Sequence, residues 1–288
     1  MNKHVFLLLL TAILWSLGGV LIKSIDWTPL AIAGSRSLIA IVIISLLQPA
    51  TLNKLSWRVV PGAMAYAATV ILFVVATKLT TAANAIFLQY TAPIYIALIG
   101  PWFLGEHTRW QDWVLIAFAL CGIALFFFDR LSLDGLWGIV AALASGLAFA
   151  WLTILMRHQR KGSPEAVVLL GNIVTFVVTI PWMIPVVNLR QNAPWLLALG
   201  VVQLAIPYLL YSVAIRHVRA LNASLIGIIE PILNPVWVML LRAELPAPWS
   251  IAGGAIVLTS SVLRSVVAVR EHRITPMPSP EAVAEESD

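Results

Sequence analysis

The chain has 288 residues, 60% of them apolar and only 11% charged, with a formal net charge of +5 and a mean hydropathy of +0.93. A soluble domain carries about 25% charged residues, so this composition excludes a water-soluble enzyme or binding module and makes lipid the solvent for most of the chain. The basic pI, about 9.7, does not indicate nucleic acid, because the Lys and Arg residues stand in small groups at many short polar breaks.

The first apolar run, Val5 to Ile22, follows Lys3. It is long for a signal-peptide core and no clean small-x-small cleavage site follows it, so it is expected to stay as a membrane helix. Ten spans of about 20 residues each, the length that crosses the hydrocarbon layer, are expected at 4–22, 30–47, 59–77, 82–104, 111–128, 135–156, 165–187, 195–214, 220–241 and 249–269. Breaks such as Asp26-Trp27-Thr28-Pro29, Lys161-Gly162-Ser163-Pro164 and Asn192-Ala193-Pro194 separate them. Lipid-exposed backbone must bond to itself, so the spans are expected to be helices. Cys121 lies in an apolar run and has no second cysteine to pair with.

With the N-terminus inside, twelve of the 18 Lys and Arg residues fall on the inner side and five on the outer side, with Arg36 inside a span. The bias puts both termini in the cytoplasm of an inner-membrane protein. Ten tryptophans, Trp57, Trp102 and Trp237 among them, fall near predicted span ends, where amphipathic rings settle. Only Trp15 and Trp151 fall well inside spans.

A duplication organises the chain. Asn84, Pro93 and Glu106 return as Asn222, Pro231 and Glu244, each 138 residues later. The expected architecture is all-α and integral to the membrane, ten transmembrane helices as two inverted five-helix repeats. The first repeat covers residues 1–130 and the second 131–273, with a disordered cytoplasmic tail at 274–288. Because five is odd, the second repeat enters the membrane upside down, and inverted repeats place a substrate site between the halves near the midplane.

The site candidates follow from chemistry that apolar helices avoid. Pro93 and Pro231, with Pro235 after Asn234, are expected to kink the fourth and ninth spans and free a carbonyl near mid-membrane. Glu230 stands one position before Pro231, where the first half has Ala92. A mid-membrane carboxylate is costly unless paired, hydrated or protonated. It would carry a coupling proton, attract a substrate ammonium, or serve structure by bonding a hydroxyl or Arg36. Arg36, Asn84, Asn222 and Asn234 are read as structural polar residues that cap or cross-link helices. Trp15, Tyr90, Tyr95, Phe149, Trp151, Tyr208 and Tyr211 offer aromatic surface for an amphiphilic solute, with Thr91 and Gln89 as hydrogen-bonding partners. For each ring the plain alternative is core or lipid-facing packing.

No H-E-x-x-H, G-x-S-x-G or P-loop motif occurs, so no enzyme, metal or cofactor is expected. The expected partners are a small-molecule substrate and the bilayer, with no nucleic acid. A nucleotide-sugar carrier would need several basic side chains at the midplane, where only Arg36 stands. A membrane scaffold subunit would not need duplicated prolines.

Three stretches carry a family likeness: Ala12 to Ser16 with Arg36, Asn84 through Pro93 to Gly105-Glu106, and Asn222 through Glu230-Pro231 to Glu244. On them, the chain resembles the EamA branch of the drug/metabolite transporter superfamily over residues 3 to 270. The resemblance implies ten spans and export of amino acids, metabolites or toxic cations. Within that branch the chain is similar to exporters of the YddG type, associated with aromatic amino acids and methyl viologen. There, aromatic residues before the fourth-span proline and within the sixth span are implicated in substrate handling. Tyr90 and Phe149 match those places, and Ala92 departs in lacking a ring.

Overall fold

The computed structural model describes residues 3–105, 110–125, 133–159, 162–184, 188–227, 229–243, 245–249, 251–256, 258–260 and 263. Glu106, Glu244, the expected repeat boundary between 130 and 131 and the tail 274–288 lie outside them. The described residues contain helices and no strand. They run α1 (Lys3–Trp15), α2 (Gly18–Lys23), α3 (Pro29–Leu47), α4 (Val60–Leu79), α5 (Ala82–Gln89), α6 (Ala92–Leu104) and α7 (Trp110–Leu125). There follow α8 (Leu133–His158), α9 (Pro164–Thr179) and α10 (Leu189–Ala198). After a π-helical stretch, Leu199–Ala205, come α11 (Ile206–Ala214), α12 (Ala220–Ile226) and α13 (Ile229–Arg242).

Taken end to end, these elements give eight helical stretches long and apolar enough to cross a membrane, from Lys3–Lys23 to Ala220–Arg242. They coincide with eight of the ten expected spans. Of the other two, the structure describes the helices Trp110–Leu125 and Ile251–Ser260, each shorter than a full crossing.

The bundle is apolar outside, and its charged and amide side chains within the spans are turned inward. Trp57, Trp102, Ile184 and Leu46 are 79%, 84%, 79% and 72% exposed, whereas Arg36, Glu165, Glu230 and Asn234 are buried. In water such a surface would aggregate; in lipid it is the solvated face. The span α4 is central, packing most extensively on α8 and also on α9. Two apolar clusters fill the interior. One holds Ile22, Phe73, Phe87 and Ile139; the other holds Leu8, Ile44, Val70, Met156 and Ala214.

Among the described residues four spans are interrupted. The first breaks at Ser16-Leu17, between α1 and α2, and the Trp237 Nε1 donates to Ser16 Oγ across 3.0 Å. Trp237 is therefore not the interfacial residue expected, because its indole N–H is spent at a break inside the bundle. The fourth span breaks between Gln89 and Ala92, the ninth around Gly227, and the eighth widens into its π stretch. Pro93 and Pro231 thus do not kink continuous helices. Each sits in the first turn of a fresh helix, α6 and α13, where a missing N–H costs little. Pro235 alone of the three stands within a helix. The first-span break is itself close-packed: a Cβ at Gly18 would lie 2.9 Å from Gln203 Nε2, and one at Gly19 would fall on the Asn234 side chain.

One face of the bundle is tied by charge. Glu165, in the first turn of α9, accepts from Lys54 Nζ at 2.9 Å and from Arg216. These partners come from the 48–54 turn and from the segment after α11. The α4–α9 contact is close enough to test. A Cβ at Gly171 would lie 2.5 Å from Tyr66 Cδ1 and 2.6 Å from Cγ, and the ring has no room to retreat because Tyr66 is fully buried and Asn172 Nδ2 donates to its hydroxyl at 2.9 Å. Gly171→Ala is expected to cost about 1–3 kcal/mol, a drop of roughly 2–10 °C in the melting temperature of the detergent-purified protein. An unchanged melting temperature would show that α4 and α9 separate freely.

Candidate functional site

The interruptions converge. Trp15 ends α1, Gln89 ends α5, Gln203 lies in the π stretch and Glu230 opens α13. With Arg36 of α3 and Thr69 of α4 they line one internal cavity of about 30 Å³. Val70 and Phe73 join the lining, one from each apolar cluster, so the cavity lies at the seam between them. This volume admits a few waters and no amino acid. Entry of a solute therefore requires the surrounding helices to part.

Arg36 is 1% exposed. Its Nη1 donates to Gln203 Oε1 at 3.1 Å and its Nη2 to the Val70 carbonyl at 3.0 Å, while Nε makes no hydrogen bond. Glu230 faces the same cavity but takes a different partner: its Oε2 is 3.0 Å from the Tyr90 hydroxyl. That hydroxyl also contacts the Gly227 carbonyl. Pro231 leaves this carbonyl without the usual i+4 donor; the Glu230 backbone N–H reaches it at 2.9 Å instead, and Tyr90 adds a second bond across the ninth-span break. Arg36 and Glu230 make no ion pair with each other. Direct pairing of these two charges, one of the structural roles open to Glu230, is therefore absent.

Aromatic rings form the remaining wall. Trp15 packs on Tyr208 at 4.8 Å, on Tyr211 at 5.3 Å and edge-on to Phe149 at 5.7 Å between centroids. The Trp15 Nε1 is buried without an acceptor. Behind this layer Tyr211 shares a hydrogen bond of 2.9 Å with Thr153, and Tyr66 meets Tyr208 at 4.6 Å. Gln89 donates to Ser145 at 2.7 Å, and Ser145 to the Thr69 carbonyl at 3.0 Å.

Of the aromatic and acidic candidates, Trp15, Phe149, Tyr208 and Glu230 line the cavity, and Tyr90 and Tyr211 stand behind them holding side chains that do. Trp151, Tyr95 and Thr91 do not line it. Trp151 packs edge-on against Phe103 at 4.9 Å. Two residues along a helix turn the side chain by about 200°, so Phe149 facing inward sends Trp151 away. Tyr95 is half-buried against one apolar cluster, and the Thr91 hydroxyl turns back to the Leu88 carbonyl at 2.8 Å.

Among the polar residues, Asn84 Nδ2 donates to Thr80 Oγ1 at 3.1 Å, and its backbone N–H to the capping Thr81 hydroxyl. Asn222 is half-buried in α12. Asn234 is fully buried with neither side-chain polar atom hydrogen-bonded. Gln203, Thr69 and Phe73 escaped the sequence reading. Gln203 was the findable one, a lone amide in an apolar run. Among the described residues no group of three or more His, Cys, Asp or Glu side chains is placed to hold a metal ion.

A bundle of apolar-faced spans, interrupted at one level around a small charged and aromatic cavity, defines a multi-span membrane protein built to pass a small solute. The chain belongs to the EamA-like transporter family, which matches it twice, over residues 2–128 and 136–266. An uncharacterized transporter of Archaeoglobus fulgidus is 24% identical over 196 residues, covering 68% of this chain and 71% of the relative. A protein known from a crystal structure shares the fold with a TM-score of 0.72 at 16% identity, over 92% of this chain and 98% of its own.

Proposed function

We propose that this transporter exports amino acids, aromatic ones among them, and related amphiphilic metabolites across the inner membrane by alternating access. The observation that carries the proposal is that Arg36 and Glu230 line one cavity without pairing with each other. A zwitterion supplies what each lacks. Its carboxylate suits the free Arg36 Nε and Trp15 Nε1 donors, and its ammonium suits Glu230. The Trp15, Phe149 and Tyr208 rings then face an apolar side chain.

The scaffold of the proposal is ten spans in two five-span halves, 1–130 and 131–273, the second inverted. Trp110–Leu125 and Ile251–Ser260 belong to the fifth and tenth spans in this count. Lys54, Arg58, Arg157, Arg216 and Arg219 fall at one end of the bundle by this topology, which supports cytoplasmic termini. The breaks of the fourth and ninth spans serve as hinges about which the halves rock.

A second reading has its own observation. The Tyr90 hydroxyl has one proton and two acceptors in contact, Gly227 O and Glu230. A proton on Glu230 would satisfy all three groups. Glu230 would then exchange a proton for the solute, and a cationic amphiphile, caged by the same rings, becomes a competing substrate.

Proteoliposomes loaded with labelled phenylalanine or threonine, with and without a pH gradient, separate these readings. Saturable phenylalanine efflux without a pH gradient, faster than that of threonine, is the expected result. Efflux only under a proton gradient would favour the second reading. No movement of either solute under any gradient would remove amino acids as the substrate class.

A further inference from the structure

A second cavity lies away from the central one, at the end of the bundle where residues 54–59 meet the end of α8 at 158–159 and residues 162–163 before α9. It has a volume of about 640 Å³. Its wall includes Lys54, Arg58, His158, Ser163 and Trp57. We propose that it binds a phosphate group, and that the phosphate is carried by the headgroup of an anionic phospholipid.

Four features carry the proposal. The Ser163 hydroxyl is the most direct. Ser163 lines the cavity and is 8% exposed; its Oγ is covered and has no hydrogen-bond partner, so a turn of the side chain brings an unspent donor to a ligand. It stands at the N-cap of the 16-residue helix α9 and makes no capping bond, so its donor is unspent. The dipole of α9 favours an anion there through its field alone, because Pro164 has no N–H and the Ala166 N–H bonds the Ser163 carbonyl.

Charge is the second feature. Glu165, in the first turn of α9, would repel an anion, but Lys54 and Arg216 both pair with it. Among the described residues no carboxylate pairs with Arg58, which leaves its guanidinium as the surplus cation of the cavity. His158 adds two ring nitrogens on an exposed side chain.

Depth is the third. Trp57 is 79% exposed on the cavity rim, and an exposed indole beside basic side chains marks the headgroup layer. Basic clefts between spans at that level select anionic headgroups. Size is the fourth: the central cavity of about 30 Å³ holds no such group, whereas about 640 Å³ accommodates a glycerophosphate and its contacts. The proposal rests on the orientation given above only for the leaflet, which would be the cytoplasmic one.

The test is the melting temperature of the full-length protein in a neutral detergent, read from tryptophan fluorescence. The ligands are dihexanoyl-phosphatidylglycerol, dihexanoyl-phosphatidylcholine and inorganic phosphate, at constant ionic strength. The double variant Arg58→Gln/Ser163→Ala is the control. Among the described residues neither side chain bonds to the rest of the fold, so the variant is expected to melt with the wild type when no ligand is present.

The anionic lipid is expected to raise the wild-type melting temperature by about 5 °C near saturation, with a smaller rise from the choline lipid and none in the double variant. A rise with inorganic phosphate that the variant also loses keeps the phosphate site but assigns it to a soluble ligand. Equal rises in wild type and variant, equal rises with both lipids, or no rise with any anion would overturn the proposal. Native mass spectrometry counts the phospholipid retained by each protein and decides the matter independently should the variant prove unstable. Neither readout involves transport, so failure here leaves the exporter reading intact.

Discussion

Glu230→Gln is expected to slow saturable phenylalanine exchange in proteoliposomes by about 10- to 150-fold, the value of one charge-assisted hydrogen bond of roughly 1.5–3 kcal/mol. Glutamine has the same shape and can still accept from the Tyr90 hydroxyl, now 3.0 Å from Glu230 Oε2. The substitution therefore removes charge and a titratable proton while leaving the ninth-span break intact. The melting temperature should stay close to that of the wild type. The pH profile adds a second reading. A wild-type rate that varies between pH 6 and 8, set against a flat variant, would assign the proton to Glu230. Exchange within two-fold of wild type at every pH would take Glu230 out of the mechanism.

Arg36→Leu is expected to have the larger effect on stability. Arg36 bonds Gln203 Oε1 and the Val70 carbonyl, so it joins α3, α4 and the π stretch at a site 1% exposed. Leucine would strand Gln203 Oε1 and remove the extra charged bond to the Val70 carbonyl, which keeps its helical donor within α4. Hydrogen bonds to a charged donor contribute about 1.5–3 kcal/mol each, so a loss of about 3–5 kcal/mol is expected, or roughly 6–20 °C in melting temperature. Arg36→Lys separates structure from recognition. Lysine keeps a cation but not the planar fork, which bonds two acceptors and leaves the Nε–H without one. It should fold with a modest loss and raise KM for phenylalanine at least about 10-fold. A lysine variant with wild-type KM would confine Arg36 to holding the helices together.

The spans were legible because lipid selects on composition: long apolar runs with polar breaks leave few alternatives. Arg36 and Glu230 were legible for the same reason, as charges where charge is costly. Several features of the site were not. The break at Ser16-Leu17 is followed by Gly18-Gly19, but glycine is too frequent in membrane helices to mark a break, and its bond from Trp237 comes from 221 residues away. Trp237 itself reads as an interfacial ring by statistics that carry no tertiary information. Phe149 and Trp151 have equal chemistry, and only the helical phase of α8 against its neighbours decides which one faces the cavity. The Glu165 cluster gathers side chains from three separate segments, none of which points to the others in sequence.

The contact between Tyr90 and Glu230 has one further consequence. The duplicated spans are related by the 138-residue offset, which sets Ile228 opposite Tyr90 and Ala92 opposite Glu230. Neither of those residues can form the reciprocal bond. Two identical halves would make the inward-open and outward-open forms mirror partners of equal energy. A latch present on one side only removes that degeneracy. About 1.5–3 kcal/mol held in one form and lost in the other corresponds to a resting ratio of roughly 10 to 150. Such a latch cannot choose the direction of net flow, which the solute gradient sets. On the proposed alternating-access cycle of two inverted halves, it would choose the form in which the empty transporter waits, and so which side of the membrane has to supply the first solute.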